Sequence, residues 1–238
     1  NILQSGDGHD LIQSGDGNDN IRAGDGNNTI TSGAGEDTIT TGAGDDLLIG
    51  GTDEDTYTFS SLGGGNDTIR DTGDAAIPNG YYSRNMDTVA FTNYPTLDAA
   101  RHSVDIRMSG QDLVFVYWNI NAPGVVSQIT VQDHLAGDMH ALERVNFGVG
   151  GAAGLYHIAL LQGDSFTYSV HDGPDAGGTD IVLGTAGHDE IYGGQDGDIM
   201  IGGGGSDWFV FEDEEDAFAG TDIIMDFKIG YDLLDFRE

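Results

Sequence analysis

The sequence predicts an all-β protein in which much of the chain winds in short, flat coils. Three observations carry this: a nine-residue phrase repeated in one phase, a glycine-rich half in each phrase, and one large apolar residue at a fixed place in the other half. Residues 5–58 write the phrase six times: SGDGHDLIQ, SGDGNDNIR, AGDGNNTIT, SGAGEDTIT, TGAGDDLLI and GGTDEDTYT. The second place is always glycine. The sixth place is Asp10, Asp19, Asn28, Asp37, Asp46 and Asp55, and the eighth is Ile12, Ile21, Ile30, Ile39, Leu48 and Tyr57.

Glycine at the second and fourth places lets the chain curl twice without a Cβ clash. Asp53, the one non-glycine at the fourth place, is among the few side chains that tolerate the left-handed region. The last three residues alternate, so the eighth points inward and its neighbours face water. Strands reverse direction at each turn, two phrases make one coil, and turns stack along each edge. Turn carbonyls and the sixth-place carboxylate then meet those of the turn two phrases on. A cage of oxygens alone suits a hard cation, and six or more ligands in a flexible arrangement suit Ca²⁺ better than Mg²⁺. A meander of hairpins turning on Asp-Gly pairs is the competing pattern, but three strand residues per phrase are too few for it.

These phrases resemble the RTX (haemolysin-type) calcium-binding nonapeptide repeat, GGxGxDxUx. The resemblance implies a parallel β-roll with calcium held between turns of phrases i and i+2. It pairs Asp10 with Asn28, Asp19 with Asp37, Asn28 with Asp46, and Asp37 with Asp55. Two departures stand out. Asn28 brings a neutral oxygen, which implies two weaker sites, and the first place is mostly Ser, Ala or Thr where the family favours Gly.

Net charge sets the partner classes. Eight Lys and Arg stand against 41 Asp and Glu, a net charge of −33, so nucleic acid and anionic membrane are not expected partners. Without bound cations the chain repels itself open. About six to eight calcium ions would bring the charge to roughly −21 to −17, which makes calcium part of the expected fold. There is no cysteine, hence no disulfide and no zinc–thiolate site. The longest apolar run, residues 155–161, is interrupted by His157 and is too short for a membrane-spanning helix. No signal peptide opens the chain, and Asn1 falls at the sixth place of a preceding phrase, as expected for a piece of a longer array.

Along the chain, residues 1–73 read as a first roll with a closing segment. Its Gly65-Asn66-Asp67-Thr68-Ile69-Arg70-Asp71 resembles the element that closes RTX blocks, in which Asp67 and Asp71 would hold a further calcium. Tyr57 and Phe59 are expected to plug the end of the core. Residues 74–162 read as an antiparallel β region, with strand-like runs at 86–91, 103–108, 112–118, 127–132 and 142–147 separated by turn residues. The run from DTVAF to LERVNF resembles the domain flanking RTX blocks in large toxins and adhesins. Residues 163–238 return to the phrase: DAGGTDIVL, GTAGHDEIY, GGQDGDIMI and GGGGSDWFV. Two more cages follow, Asp180 with Asp198 and Asp189 with Asp207. Trp208, Phe209 and Phe211 are expected to end this roll. The tail resembles the closing hairpin of serralysins, with Asp222 or Asp226 holding a last calcium.

No catalytic constellation appears: HExxH and G-x-S-x-G are absent, and His102, His134, His140 and His157 are scattered. His134 and His140, near Asp133 and Asp138, read as a solvated loop, and Tyr81, Tyr82 and Tyr94 as packing aromatics. The expectation is two calcium-binding parallel β-rolls flanking an antiparallel β domain, with no enzyme activity. The resemblance implies a structural or adhesive module of a large secreted bacterial protein, of adhesin or surface-layer type, exported by a type I route. A carrier region of a secreted toxin or hydrolase is the alternative. Cell-surface glycans, peptides or copies of the chain are the candidate partners at the cell surface, with no membrane insertion.

Overall fold

The structure, a computed structural model, describes residues 1–60, 64–71, 87–92, 104–110, 112–118, 126–133, 144–146, 155–160, 168–169, 180–184, 187–192, 197–212 and 221–237. Every regular element among them is a strand. The chain divides into two compact units, Asn1–Leu155 and Tyr156–Glu238.

In the first unit the phrases form β1 (Ile2–Gln4), β2 (Leu11–Gln13), β3 (Asn20–Arg22), β4 (Thr29–Ala34), β5 (Thr38–Thr40), β6 (Leu47–Thr52) and β7 (Thr56–Ser60). After them come β8 (Asn66–Arg70), β9 (Thr88–Thr92), β10 (Val104–Ser109), β11 (Asp112–Trp118), β12 (Val126–Val131) and β13 (Arg144–Asn146). Odd and even phrases separate into two sheets, as a coil of two phrases requires. One sheet runs β1-β3-β5-β7-β9-β13, parallel throughout. The other runs β2-β4-β6-β8-β12 in parallel, and β11 and β10 then add antiparallel.

The register aligns the eighth places, and this alignment is the core. Leu3, Ile21, Ile39, Tyr57, Val89 and Val145 stack along one sheet. Ile12, Ile30, Leu48, Ile69 and Val131 stack along the other. From Ile21 onward each of these side chains is fully buried. The hydrophobic effect therefore acts once per phrase, at the one place where the alternation points inward.

Two expectations change here. Tyr57 and Phe59 do not end the core, because β9 pairs over β7 and carries Val89 and Phe91 onto them. Phe91 in turn meets Phe115 and Tyr117 edge-on. The antiparallel reading of residues 74–162 holds for β10 with β11 and for β11 with β12. By contrast β9 and β13 run parallel with the roll, since a buried eighth-place stack needs a further layer to cover it. The β10–β11 hairpin turns where expected, with Ser109 opposite Asp112 and Gly110 at φ 68°.

The second unit repeats the scheme with β14 (Leu155–Leu160), β15 (Tyr168–Ser169), β16 (Asp180–Leu183), β17 (Glu190–Tyr192), β18 (Ile199–Ile201), β19 (Trp208–Glu212), β20 (Ile223–Ile224) and β21 (Leu233–Arg237). Even-numbered strands form one parallel sheet and odd-numbered strands the other. Val182, Ile191, Met200 and Phe209, all eighth-place residues, make the core, with Phe211 and Ile224 packed against it. The tail does not close as a hairpin: β20 joins β18 and β21 joins β19, one strand to each sheet. Phe209 is buried but Trp208 is half exposed, and Phe211 stacks on Phe236 of the added strand. The three aromatics therefore do not end the roll.

Candidate metal centre

The turns are held in register by a ladder that the sixth-place side chains build. The backbone N–H of each sixth-place residue donates to Oδ1 of the sixth-place side chain two phrases on. Along one edge Asp19 donates to Asp37 (2.7 Å), Asp37 to Asp55 (2.9 Å) and Asp55 to Asp87 (2.7 Å). Along the other, Asp10 donates to Asn28 (3.0 Å), Asn28 to Asp46 (2.7 Å) and Asp46 to Asp67 (3.0 Å). In the second unit Asp189 donates to Asp207 (3.1 Å), Asp207 to Asp232 (3.1 Å) and Asp198 to Asp222 (2.9 Å).

The pairs expected from the repeat thus meet: Asp10 with Asn28, Asp19 with Asp37, Asn28 with Asp46, Asp37 with Asp55, and Asp189 with Asp207. For Asp180 and Asp198 the strands pair from Ile181 and Ile199 onward, while the Asp180 side chain lies outside the described residues. His102, His134, His140, Asp138, Tyr81, Tyr82 and Tyr94 also lie outside them.

One carboxylate oxygen of each rung is thus satisfied. On Asp10, Asp19, Asp37, Asp46, Asp67 and Asp207 the Oδ2 atom is buried with no hydrogen-bond partner, whereas Oδ2 of Asp232 accepts the Lys228 N–H (2.7 Å). A buried anionic oxygen without a donor is costly. Burial accordingly pushes the Asp37, Asp46 and Asp222 carboxyls above the usual range, Asp67 to about 7 and Asp207 to about 6. Asn28 shows what surrounds that second atom. Its amide nitrogen donates to the carbonyls of Gly26 (2.9 Å) and Gly24 (3.4 Å), the fourth and second places of its own turn. In a turn of the same shape an aspartate brings a negative oxygen to two carbonyl oxygens. A bound cation relieves that arrangement, as does a proton on the carboxyl where no cation is bound. Among the described residues no point gathers three acidic, His or Cys side chains; the donors that the turns offer are carboxylate and carbonyl oxygens, a chemistry that fits Ca²⁺.

The turns need glycine where they stack. Gly26 sits at φ 110°, and a Cβ there would overlap the Gly8 carbonyl oxygen. Asp53 takes φ 75° at the equivalent place, as its residue type allows. Serine at the first place also finds a reason: Ser5, Ser14 and Ser32 hydroxyls donate to the first-place carbonyls of Ala23 (2.5 Å), Ser32 (2.7 Å) and Gly50 (2.8 Å). Where the eighth place is a ring, the first place is glycine instead. A Cβ on Gly50 would strike the Tyr57 hydroxyl and Asp55, and one on Gly202 would meet Asp207 and the tip of Phe209.

Sequence reasoning missed three features. Asp87 and Asp232 extend the ladder past the repeats. The fifth place builds a second ladder in the opposite sense: Asn18, Asn27, Asp45, His9 and His188 accept the N–H of Glu36, Asp45, Asn66, Asn27 and Ser206. Its signal was visible, since all six fifth-place side chains can accept a hydrogen bond. Last, the closing acids divide their work. Asp67 and Asp222 continue the ladder, while Asp71 accepts from Gly51 N–H (3.5 Å) and Asp226 from Gly202 and Gly203 N–H (2.8 Å each). Beside Asp226, the Lys228 ammonium donates to the Gly203 carbonyl (2.5 Å).

The model of the RTX calcium-binding nonapeptide repeat matches residues 1–30, 22–57 and 176–209, in four copies. The ladder acids Asp67, Asp87, Asp222 and Asp232 lie outside the match. No curated protein matches the chain. With their phrases and their two-sheet coils, the matched stretches of the chain are RTX-type nonapeptide repeats, a calcium-binding repeat.

Proposed function

We propose that the chain is a calcium-dependent structural module of a large secreted bacterial protein, of adhesin or surface-layer type, with the sixth-place acids as ligands. The observation that carries the reading is the set of buried, donorless Oδ2 atoms at the sixth places, in turns of the same repeat as the one whose carbonyls meet the Asn28 amide. Asp10, Asp19, Asp37, Asp46, Asp55, Asp189, Asp198 and Asp207 hold ions between turns, and Asp67 and Asp222 hold those at the closing rungs. Ligand bound only by the folded state contributes about 1–2 kcal/mol per site when calcium exceeds Kd roughly tenfold. Several sites together reach the stability of an ordinary domain. Where calcium lies far below the roughly 10⁻⁴–10⁻³ M affinity of extracellular modules, the charge of −33 keeps the chain open and exportable; outside the cell it locks. Continuity favours the adhesin or surface-layer half of the reading: β9, β12 and β13 extend the roll's sheets, so a stiff body carries the flanking strands.

Circular dichroism of the whole chain, titrated with calcium and separately with magnesium, tests the switch. Strand signal is expected to appear with calcium at millimolar or lower concentration and not with magnesium. Full signal in chelator, or equal response to magnesium, overturns it. Screening against glycans and short peptides, beside the calcium-stripped chain, tests the adhesive half; binding by neither form removes it.

A further inference from the structure

At its sixth place the turn of residues 23–28 carries an amide where the neighbouring turns carry a carboxylate. Asn28 has the shape of the aspartates and the same place in the ladder, taking the Asp10 N–H on Oδ1 and giving its own N–H to Asp46. The Asp10 N–H fixes which side of the amide is oxygen. The nitrogen is left to face its own turn, where it donates to the Gly26 and Gly24 carbonyls. In Asp19, Asp37 and Asp46 the corresponding atom is the buried, donorless Oδ2.

We infer that the Asn28 amide closes this turn in place of a cation, making it a metal-independent rung inside a metal-dependent ladder. The inference rests on the calcium reading of the neighbouring turns. A hard cation entering here would displace two N–H donors and gain no charged ligand from this side chain. Asn28 is therefore a built-in substitute for the ion and not a weak ligand for it. The rung is also tied by backbone bonds that need no metal: Thr29 N–H to Asp10 (2.8 Å), Leu47 N–H to Asn28 (2.9 Å) and Gly26 N–H to Ala43 (2.6 Å). Buried Ile30, stacked between Ile12 and Leu48, backs it with apolar contact. The calcium-free chain keeps a local staple there, from which neighbouring turns order as ions arrive.

The test compares the full chain with Asn28→Asp and Asn28→Ala. Bound calcium is counted by equilibrium dialysis with metal analysis, and amide exchange at Asp10 and Leu47 is followed in calcium-stripped protein. Asn28→Asp is expected to bind one more ion than the parent, and its stripped form to lose protection at these amides by about tenfold or more. Asn28→Ala is expected to lose protection and gain no ion. An unchanged ion count in Asn28→Asp, with existing sites merely tightened, overturns the inference, as does equal protection in the stripped parent and variants. If neither parent nor Asn28→Asp takes up calcium, the calcium reading fails on its own, and the exchange comparison then decides whether the amide closes the turn.

Discussion

The first and second rolls keep the same ladder with different spacings. In the first, the rungs advance by 18 residues until the repeats end, and then by 21 at Asp67 and by 32 at Asp87. In the second, one described rung of 18 at Asp207 is followed at once by steps of 24 at Asp222 and 25 at Asp232. The nine-residue period is thus a convenience of tight turns. What is kept is a backbone N–H facing a carboxylate beside a stacked apolar residue, whatever length of chain loops out between them. The rolls also differ within the turn. The first has hydroxyls at four of its six first places and an asparagine rung; among the described residues the second has Gly184 and Gly202 at first places and aspartate in every rung.

Calcium removal separates the two most strongly. At low salt both rolls are expected to lose most of their strand signal, since turns rich in glycine and unpaired acids do not offset the entropy of ordering. Amides of the second roll should exchange at the unfolded rate, while those around Asn28 keep partial protection. Identical exchange in both rolls would erase the distinction.

Cutting the ladder beyond the repeats comes next. Asp87 is buried and takes the N–H of Asp55, itself buried, so Asp87→Ala is expected to cost about 1.5–3 kcal/mol in calcium. Asp232 is half-buried at the end of its roll, and Asp232→Ala should cost about half as much. Denaturant unfolding in excess calcium measures both. Equal or negligible losses would mean that the repeat, not the ladder, holds the fold.

Acid provides a finer contrast. Burial holds Asp67 at about 7 and Asp207 at about 6 in the metal-free fold, above the ordinary 3.8. Between those values the folded chain keeps a proton that the unfolded chain has released, so folding weakens as pH rises through that window and recovers as it falls. Calcium-stripped protein should therefore gain strand signal on acidification from about pH 8 to pH 4, with the first roll responding at the higher pH. A loss of signal over this range would reverse the sign and remove burial as the cause.

The smallest effects lie at the first place. Ser32→Ala removes one hydroxyl bond and is expected to cost about 0.5–1.5 kcal/mol. Gly50→Ser should cost more, through overlap with Tyr57 and Asp55, and Tyr57→Ile should restore part of it. A double-mutant cycle with no coupling between Gly50 and Tyr57 would break the link between ring and glycine.

By itself the sequence determined the coil, the inward eighth place and the meeting of sixth-place acids two phrases apart, because each follows from local geometry: glycine turns, a strand period of two, and an unbroken nine-residue phase. Tertiary structure alone decided the rest. Asp87 and Asp232 reach the ladder across long insertions, so no period announces them. β9 and β13 join the roll in parallel because the exposed end of a stacked core must be covered, a demand that composition does not express. The tail splits between two sheets for the same reason. Asn28 is the sharpest case: from the residue type it could lend an oxygen or a nitrogen, and only the Asp10 N–H, brought beside it by the preceding coil, turns the nitrogen toward the carbonyls of its own turn.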